Sequence, residues 1–200
     1  MSGTVHYLTL PWYPFRKGIC PHCGEKRPLR APLLELGMMA AFAAGWLRLQ
    51  QDPAQLLAFG LFAWYLLVVL VIDVERRLVL DVMTVPAAAA ALLISFLPGG
   101  ATPLSALLGG AVGLGLFLFL ALVGRFIGRN AMGAGDVKLA GVIGLMAGYP
   151  AVSQALLLGI VLGGIGALVL LVTRRAGRRG YMAYAPYLAV GALVVLWRVM

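Results

Sequence analysis

Long apolar runs, separated by short polar or basic breaks, dominate the chain from about residue 33 onward. A helix needs roughly 20 apolar residues to cross a bilayer core, somewhat fewer at the lower limit. Seven segments fit this pattern: Leu33 to Leu49, Ala54 to Ile72, Val82 to Leu97, Pro103 to Val123, Val137 to Gly148, Ser153 to Thr173 and Tyr181 to Trp197. The fifth is short, so Asp136 at its head is expected to begin a helix within the headgroup layer or below the surface. The pattern predicts an all-α, polytopic membrane bundle of about seven helices.

Two segment ends carry an acid. The run Tyr65-Leu66-Leu67-Val68-Val69-Leu70-Val71-Ile72 closes in Asp73, and Gly133-Ala134-Gly135-Asp136 sets a second carboxylate at the mouth of the fifth segment. An ionisable side chain beside an apolar span is costly, which makes it a candidate for function. Taken singly, Asp73 reads as an interfacial residue and Asp136 as a helix cap. Taken together they fall on one membrane face, and Gly133 and Gly135 permit backbone conformations and close approaches that a cap does not need. Two carboxyls sharing a site repel, which leaves one protonated and one ionised near neutral pH. The carboxylate can then take a proton from water as the water attacks a peptide carbonyl, while the acid donates to the carbonyl oxygen. This chemistry needs no metal, and the chain carries no HExxH motif.

Composition supports the membrane reading, with 62% hydrophobic residues, 12% charged residues and a mean hydropathy of +0.96. A formal charge of +9 raises the question of nucleic acid, but the basic residues sit in clusters between apolar runs and no recognition motif accompanies them. No nucleic-acid partner is expected; the bilayer and its anionic headgroups account for the charge. Arg16, Lys17, Lys26, Arg27, Arg30, Arg76, Arg77, Arg125, Arg129, Lys138, Arg174, Arg175, Arg178 and Arg179 all fall on one side of the seven-segment layout, with Arg48 and Arg198 on the other. The positive-inside rule then places the N-terminus, Asp73 and Asp136 in the cytoplasm and the C-terminus outside. Residues 1–19 lack the continuous apolar core of a secretory signal peptide. The two cysteines, Cys20 and Cys23, stand among basic residues and read as reduced thiols rather than a disulfide framework. These features divide the chain into a basic N-terminal segment, 1–31, and a membrane domain, 32–200. Glycines at 109, 110, 113 and 115, and at 159, 163, 164 and 166, suit close helix packing within the bundle, with a homodimer contact as the alternative.

The runs Ile72-Asp73-Val74-Glu75-Arg76-Arg77-Leu78-Val79-Leu80-Asp81-Val82-Met83-Thr84-Val85-Pro86 and Asn130-Ala131-Met132-Gly133-Ala134-Gly135-Asp136-Val137-Lys138-Leu139 resemble those of the bacterial prepilin peptidases, aspartyl proteases of the GxGD class. The resemblance extends from about Cys20 to the end. It includes Pro32-Leu33-Leu34-Glu35-Leu36, similar to the segment after the family's cysteine knuckle, and Tyr184-Ala185-Pro186-Tyr187-Leu188-Ala189, similar to its last-helix proline motif. It implies that Asp73 and Asp136 are the catalytic pair, with Gly133 and Gly135 as supporting motif residues. The substrates it implies are type IV prepilins or type II secretion pseudopilins, cut at the cytoplasmic face of the bacterial inner membrane. Asp81 matches a second acid of the earlier motif, with Leu80 where the family usually has proline; a supporting role and a cap on the third helix are both open. Lys138 matches the lysine after GxGD and is open to two readings: a contact to an acidic group of the substrate, or a snorkelling anchor. Glu75 is expected to be solvated.

The chain also departs from the larger members, which have an additional first transmembrane helix and two CxxC pairs that bind zinc in a head associated with N-methylation from S-adenosylmethionine. It resembles a short form lacking that helix and the first pair. Cys20-Pro21-His22-Cys23-Gly24 resembles the second knuckle, whereas a closed zinc site takes four ligands. Three readings of Cys20 and Cys23 stand: a remnant without metal, a zinc shared across a dimer, and an intramolecular site using His6. The expected activity is aspartic endopeptidase, needing no cofactor, with methyltransferase activity and S-adenosylmethionine use left open. The rival readings are a noncatalytic pilin-binding scaffold and a small proton-coupled transporter; the intact GxGD run opposes the first, and the placement of both acids at one face opposes the second.

Overall fold

The computed structural model describes residues 30–76, 78–97, 100–126, 133–173 and 184–200. Among them are seven helices and no strand: α1 (Arg30–Leu49), α2 (Pro53–Arg76), α3 (Asp81–Ile94), α4 (Pro103–Phe126), α5 (Ala134–Ala147), α6 (Ala151–Val172) and α7 (Ala185–Val199). Each of the seven apolar segments of the sequence contains one of these helices. The fifth begins at Ala134, three residues before its apolar run, so Asp136 lies in the first helical turn. The cysteine knuckle, with His6, Cys20, His22 and Cys23, lies outside the described residues, as do 130–132 and 181–183.

Three helices, α2, α4 and α6, are long and apolar enough to cross a membrane. Large apolar side chains cover the outside as well as the core, Leu107, Phe119, Leu157 and Leu168 among them. A helix that is apolar all round is stable only where its surroundings are apolar, and in hydrocarbon a helix satisfies its backbone groups internally. The chain is a membrane helix bundle.

Packing follows the small residues. On α4, Gly109 and Gly113 lie backbone to backbone against Gly144 and Ala140 of α5, so any side chain there would strike a carbonyl. On α6, Gly159, Gly163 and Gly166 face Leu188, Tyr184 and Tyr187 at the start of α7, while Gly191 of α7 would bring a Cβ within 2.7 Å of the Ala155 carbonyl. The Gly159/Gly163 face is therefore filled by α7 within one chain. Gly115 and Gly164 have open space around them. Helix α5 is the centre of the bundle, with Leu139, Ala140 and Ile143 fully buried against its neighbours.

Two ends of the bundle can be distinguished. At one, Arg48 donates from Nη2 to the Arg198 carbonyl at 2.7 Å and stacks its guanidinium 5.2 Å from the Trp197 ring centroid, while Trp197 Nε1 donates to the Ala44 carbonyl at 2.9 Å. The α5–α6 turn is fastened to the start of α4 at this same end: Tyr149 N donates to the Ser105 carbonyl at 3.0 Å, and Ser105 Oγ donates to the Tyr149 carbonyl at 2.8 Å. Gly148 closes α5 at φ +69°, a conformation that favours glycine. Also here, Asp52 Oδ1 accepts from the Ala54 and Gln55 backbone N–H groups and caps α2. Arg48 and Arg198, the two basic residues set apart by the sequence pattern, thus share one end. The other end carries Asp73, Asp81, Asp136 and Lys138.

Candidate active site

Asp73 lies within the last turn of α2. The core face of that helix runs Phe59, Phe62, Leu66, Val69, Asp73, spaced three or four residues apart, so the carboxylate occupies the next core position after a stripe of apolar residues. It is 5% exposed. Asp136 comes from the first turn of α5, where its backbone N–H donates to the Gly133 carbonyl at 3.1 Å. It is half-buried and near enough to Asp73 for the two charges to act on one another. The fold thus joins two carboxyls that lie 63 residues apart in the chain.

Helices α2 and α5 scarcely pack against each other, whereas α3 and α7 each touch both. The spacing of the two carboxyls therefore depends on intermediates. One is the segment 78–80 that leads into α3. A Cβ on Gly135 would fall 2.8 Å from Val79 Cβ and 3.1 Å from Val79 Cγ2, so glycine at 135 lets α5 lie directly on this segment. Gly133 is different: a Cβ there would meet only Asp136 Oδ2 at 3.6 Å and the Gly135 nitrogen at 3.9 Å, and its φ of −76° suits any residue.

Asp81 and Lys138 form an ion pair, with Lys138 Nζ donating to both carboxylate oxygens at 2.7 and 2.8 Å. Neither open reading of the two residues from sequence anticipates it. Leu80, not Asp81, holds the N-cap position of α3, and no side chain caps that end. In the same way Gly133 holds the N-cap of α5, so Asp136 is free of a capping duty. Glu75, exposed on α2, does not share the buried face of Asp73.

Two further residues border the site that sequence reasoning had given no role. Tyr184, at the N-cap of α7, lies within electrostatic reach of Asp136 and packs its ring against Phe117 at 6.2 Å between centroids. Its place one residue before the last helix, on the side where α5 begins, was the available signal. Tyr65 is buried two turns before Asp73 and turns its hydroxyl toward Thr84 of α3 without closing a hydrogen bond of good geometry. Thr84 Oγ1 donates instead to the Leu80 carbonyl at 2.9 Å. Among the described residues no group of three His, Cys, Asp or Glu side chains is arranged to hold a metal ion.

A membrane bundle with two acids on separate helices meeting at one end defines a class, that of membrane proteins with a carboxyl pair. Sequence comparison gives the family. The model of the type IV leader peptidase family matches residues 60–168, which include both aspartates, and the chain belongs to that family. It is 31% identical over 183 residues to the prepilin leader peptidase/N-methyltransferase of Bacillus subtilis (strain 168), covering 90% of this chain and 71% of that protein. The protein of the same name from Pseudomonas putida is 31% identical over 185 residues, covering 90% and 63%. The one from Stutzerimonas stutzeri is 30% identical over 192 residues, covering 94% and 65%. The chain thus spans about two thirds of the length of these relatives. No solved structure matches it significantly.

Proposed function

We propose that this chain is a membrane-embedded aspartic endopeptidase that removes the leader peptide of type IV prepilins or type II secretion pseudopilins at the cytoplasmic face of the inner membrane. The observation that carries the reading is the pairing of Asp73 and Asp136 at one end of the bundle. The ionised carboxyl of the pair accepts a proton from water as its oxygen attacks the scissile carbonyl carbon. The protonated carboxyl gives its proton to the carbonyl oxygen, and a tetrahedral gem-diol results. The acid formed in the first step then protonates the leaving amine as the C–N bond breaks, and the other carboxylate recovers the diol proton, so the pair ends as it began.

The orientation is supported by charge. The end that holds the pair also holds Arg76 and Arg125, at the close of α2 and α4, where positive charge marks a cytoplasmic face. A substrate whose cleavage point lies between a polar leader and an apolar helix would reach this end with its helix still in the bilayer.

The test is cleavage of a prepilin-like substrate by the purified chain in lipid, beside Asp73→Asn and Asp136→Asn. Each substitution keeps the side-chain shape and removes one partner of the proton exchange, so each should lower the rate by about 10²–10⁴ or more. Retained cleavage in either folded variant would sink the assignment. Absence of any cut by the folded wild type, with a pilin precursor still bound, would establish the scaffold reading instead. Mass spectrometry of the new amino terminus would also read out the methylation in the relatives' names.

A further inference from the structure

The Asp81–Lys138 ion pair stands beside the aspartates. Both side chains are about half exposed, at 62% and 47%. An exposed pair of this kind adds little to overall stability. Its location is more informative than its strength. Lys138 is two residues beyond Asp136 on α5, and Asp81 opens α3 directly after the segment 78–80, whose Val79 lies against Gly135. One ionic and one van der Waals contact therefore join the same two pieces of backbone, each within two residues of Asp136. Because α2 and α5 scarcely touch, the position of Asp136 relative to Asp73 is set through these joins and through α7.

We propose that Asp81 and Lys138 are positioning residues whose ion pair clamps the start of α3 to the start of α5 and so sets the separation of the Asp73 and Asp136 carboxyls. The inference rests on the peptidase reading of the pair. The clamp touches neither substrate nor the reacting atoms. Lys138 has both oxygens of one carboxylate within 2.8 Å, so its charge is already answered inside the chain rather than held ready for an acid on the substrate.

The experiment is a double-mutant cycle in the full chain, with Asp81→Asn, Lys138→Gln and the two combined, plus Lys138→Arg, all assayed for kcat and KM on one prepilin-like substrate. A carboxyl displaced by about 1 Å costs about 10²-fold in rate. Each single variant is therefore expected to lose about 10- to 100-fold in kcat with KM changed less than about twofold, and the double variant should be no worse than either single one. Lys138→Arg, which keeps the positive charge and offers the Asp81 carboxylate a forked donor, should retain more of the rate than Lys138→Gln. An unchanged kcat in Asp81→Asn would overturn the clamp, as would fully additive losses. A raised KM in Lys138→Gln alone would overturn it too, in favour of a direct substrate contact. Wild-type protein that folds and does not cut would instead overturn the peptidase reading, a result separate from any of these.

Discussion

Gly135→Ala is the smallest change expected to disable the site, and its size can be worked from the packing. The added carbon would lie 2.8 Å from Val79 Cβ, where two carbons normally rest about 3.5–4.0 Å apart. The shortfall is therefore about 0.7–1.2 Å. Rotation of the valine does not relieve it, because the obstructing atom is the Cβ itself and a β-branched side chain is stiff in any case. The backbone of segment 78–80 or of the first turn of α5 has to move, and Asp136 is the next residue. Overpacking of this kind costs about 1–3 kcal/mol in stability, while a displacement near 1 Å at a reacting group costs about 10²-fold in rate. Cleavage kinetics on lipid-reconstituted protein should show kcat down about 10- to 100-fold, with the helical signal retained. Gly133→Ala is the control, since its new carbon meets nothing closer than 3.6 Å; it should lose less than about threefold. Val79→Gly should restore part of the lost rate in the Gly135→Ala background, whereas Val79→Ala, which keeps the Cβ, should not. Wild-type kinetics in Gly135→Ala, or an equal loss in Gly133→Ala, would refute the steric account.

Other expectations concern the scaffold. Gly144→Leu puts a side chain into the Gly109 backbone and should cost upwards of about 3 kcal/mol, read as a loss of monodisperse protein in detergent; Gly115→Leu and Gly164→Leu, which point into open space, should express and elute as the wild type. Trp197→Phe removes the hydrogen bond to the Ala44 carbonyl and should lower thermal stability by about 0.5–1.5 kcal/mol. Its kcat should be unchanged, because Trp197 is at the end of the bundle away from the aspartates. Asp52→Ala takes the cap from α2 and should cost about 1 kcal/mol, again without change in kcat.

The helices were legible because each is an apolar run closed by glycine, proline or charge, and in a membrane bundle that pattern is nearly the whole instruction. Asp73 and Asp136 were legible for the complementary reason, being charges where the apolar runs leave no cheap place for one. The join between Asp81 and Lys138 was not. Each residue alone fits an ordinary interfacial role, a first-turn acid on α3 or a basic anchor near the start of α5, and 57 residues separate them. Only the lateral arrangement of α3 beside α5 brings them together, and an apolar pattern fixes where helices begin and end but not which helix neighbours which. The same limit hid Val79, an apolar residue in a short connection whose importance lies in facing Gly135.

That lateral arrangement has a consequence for how the site can work. The far end of the bundle is cross-tied: Arg48 to the Arg198 carbonyl, Trp197 to Ala44 and Tyr149 to Ser105 all join helices remote in sequence. At the end with the aspartates, the beginnings of α3 and α5 are joined by an exposed ion pair and a glycine–valine contact. If a substrate helix arriving from the bilayer parts the beginnings of α3 and α5, it has to break this exposed ion pair. A pair of carboxyls borne by two helices that scarcely touch needs joins close to the acids to hold its geometry, and needs those joins to be weak if a peptide strand is to pass between them.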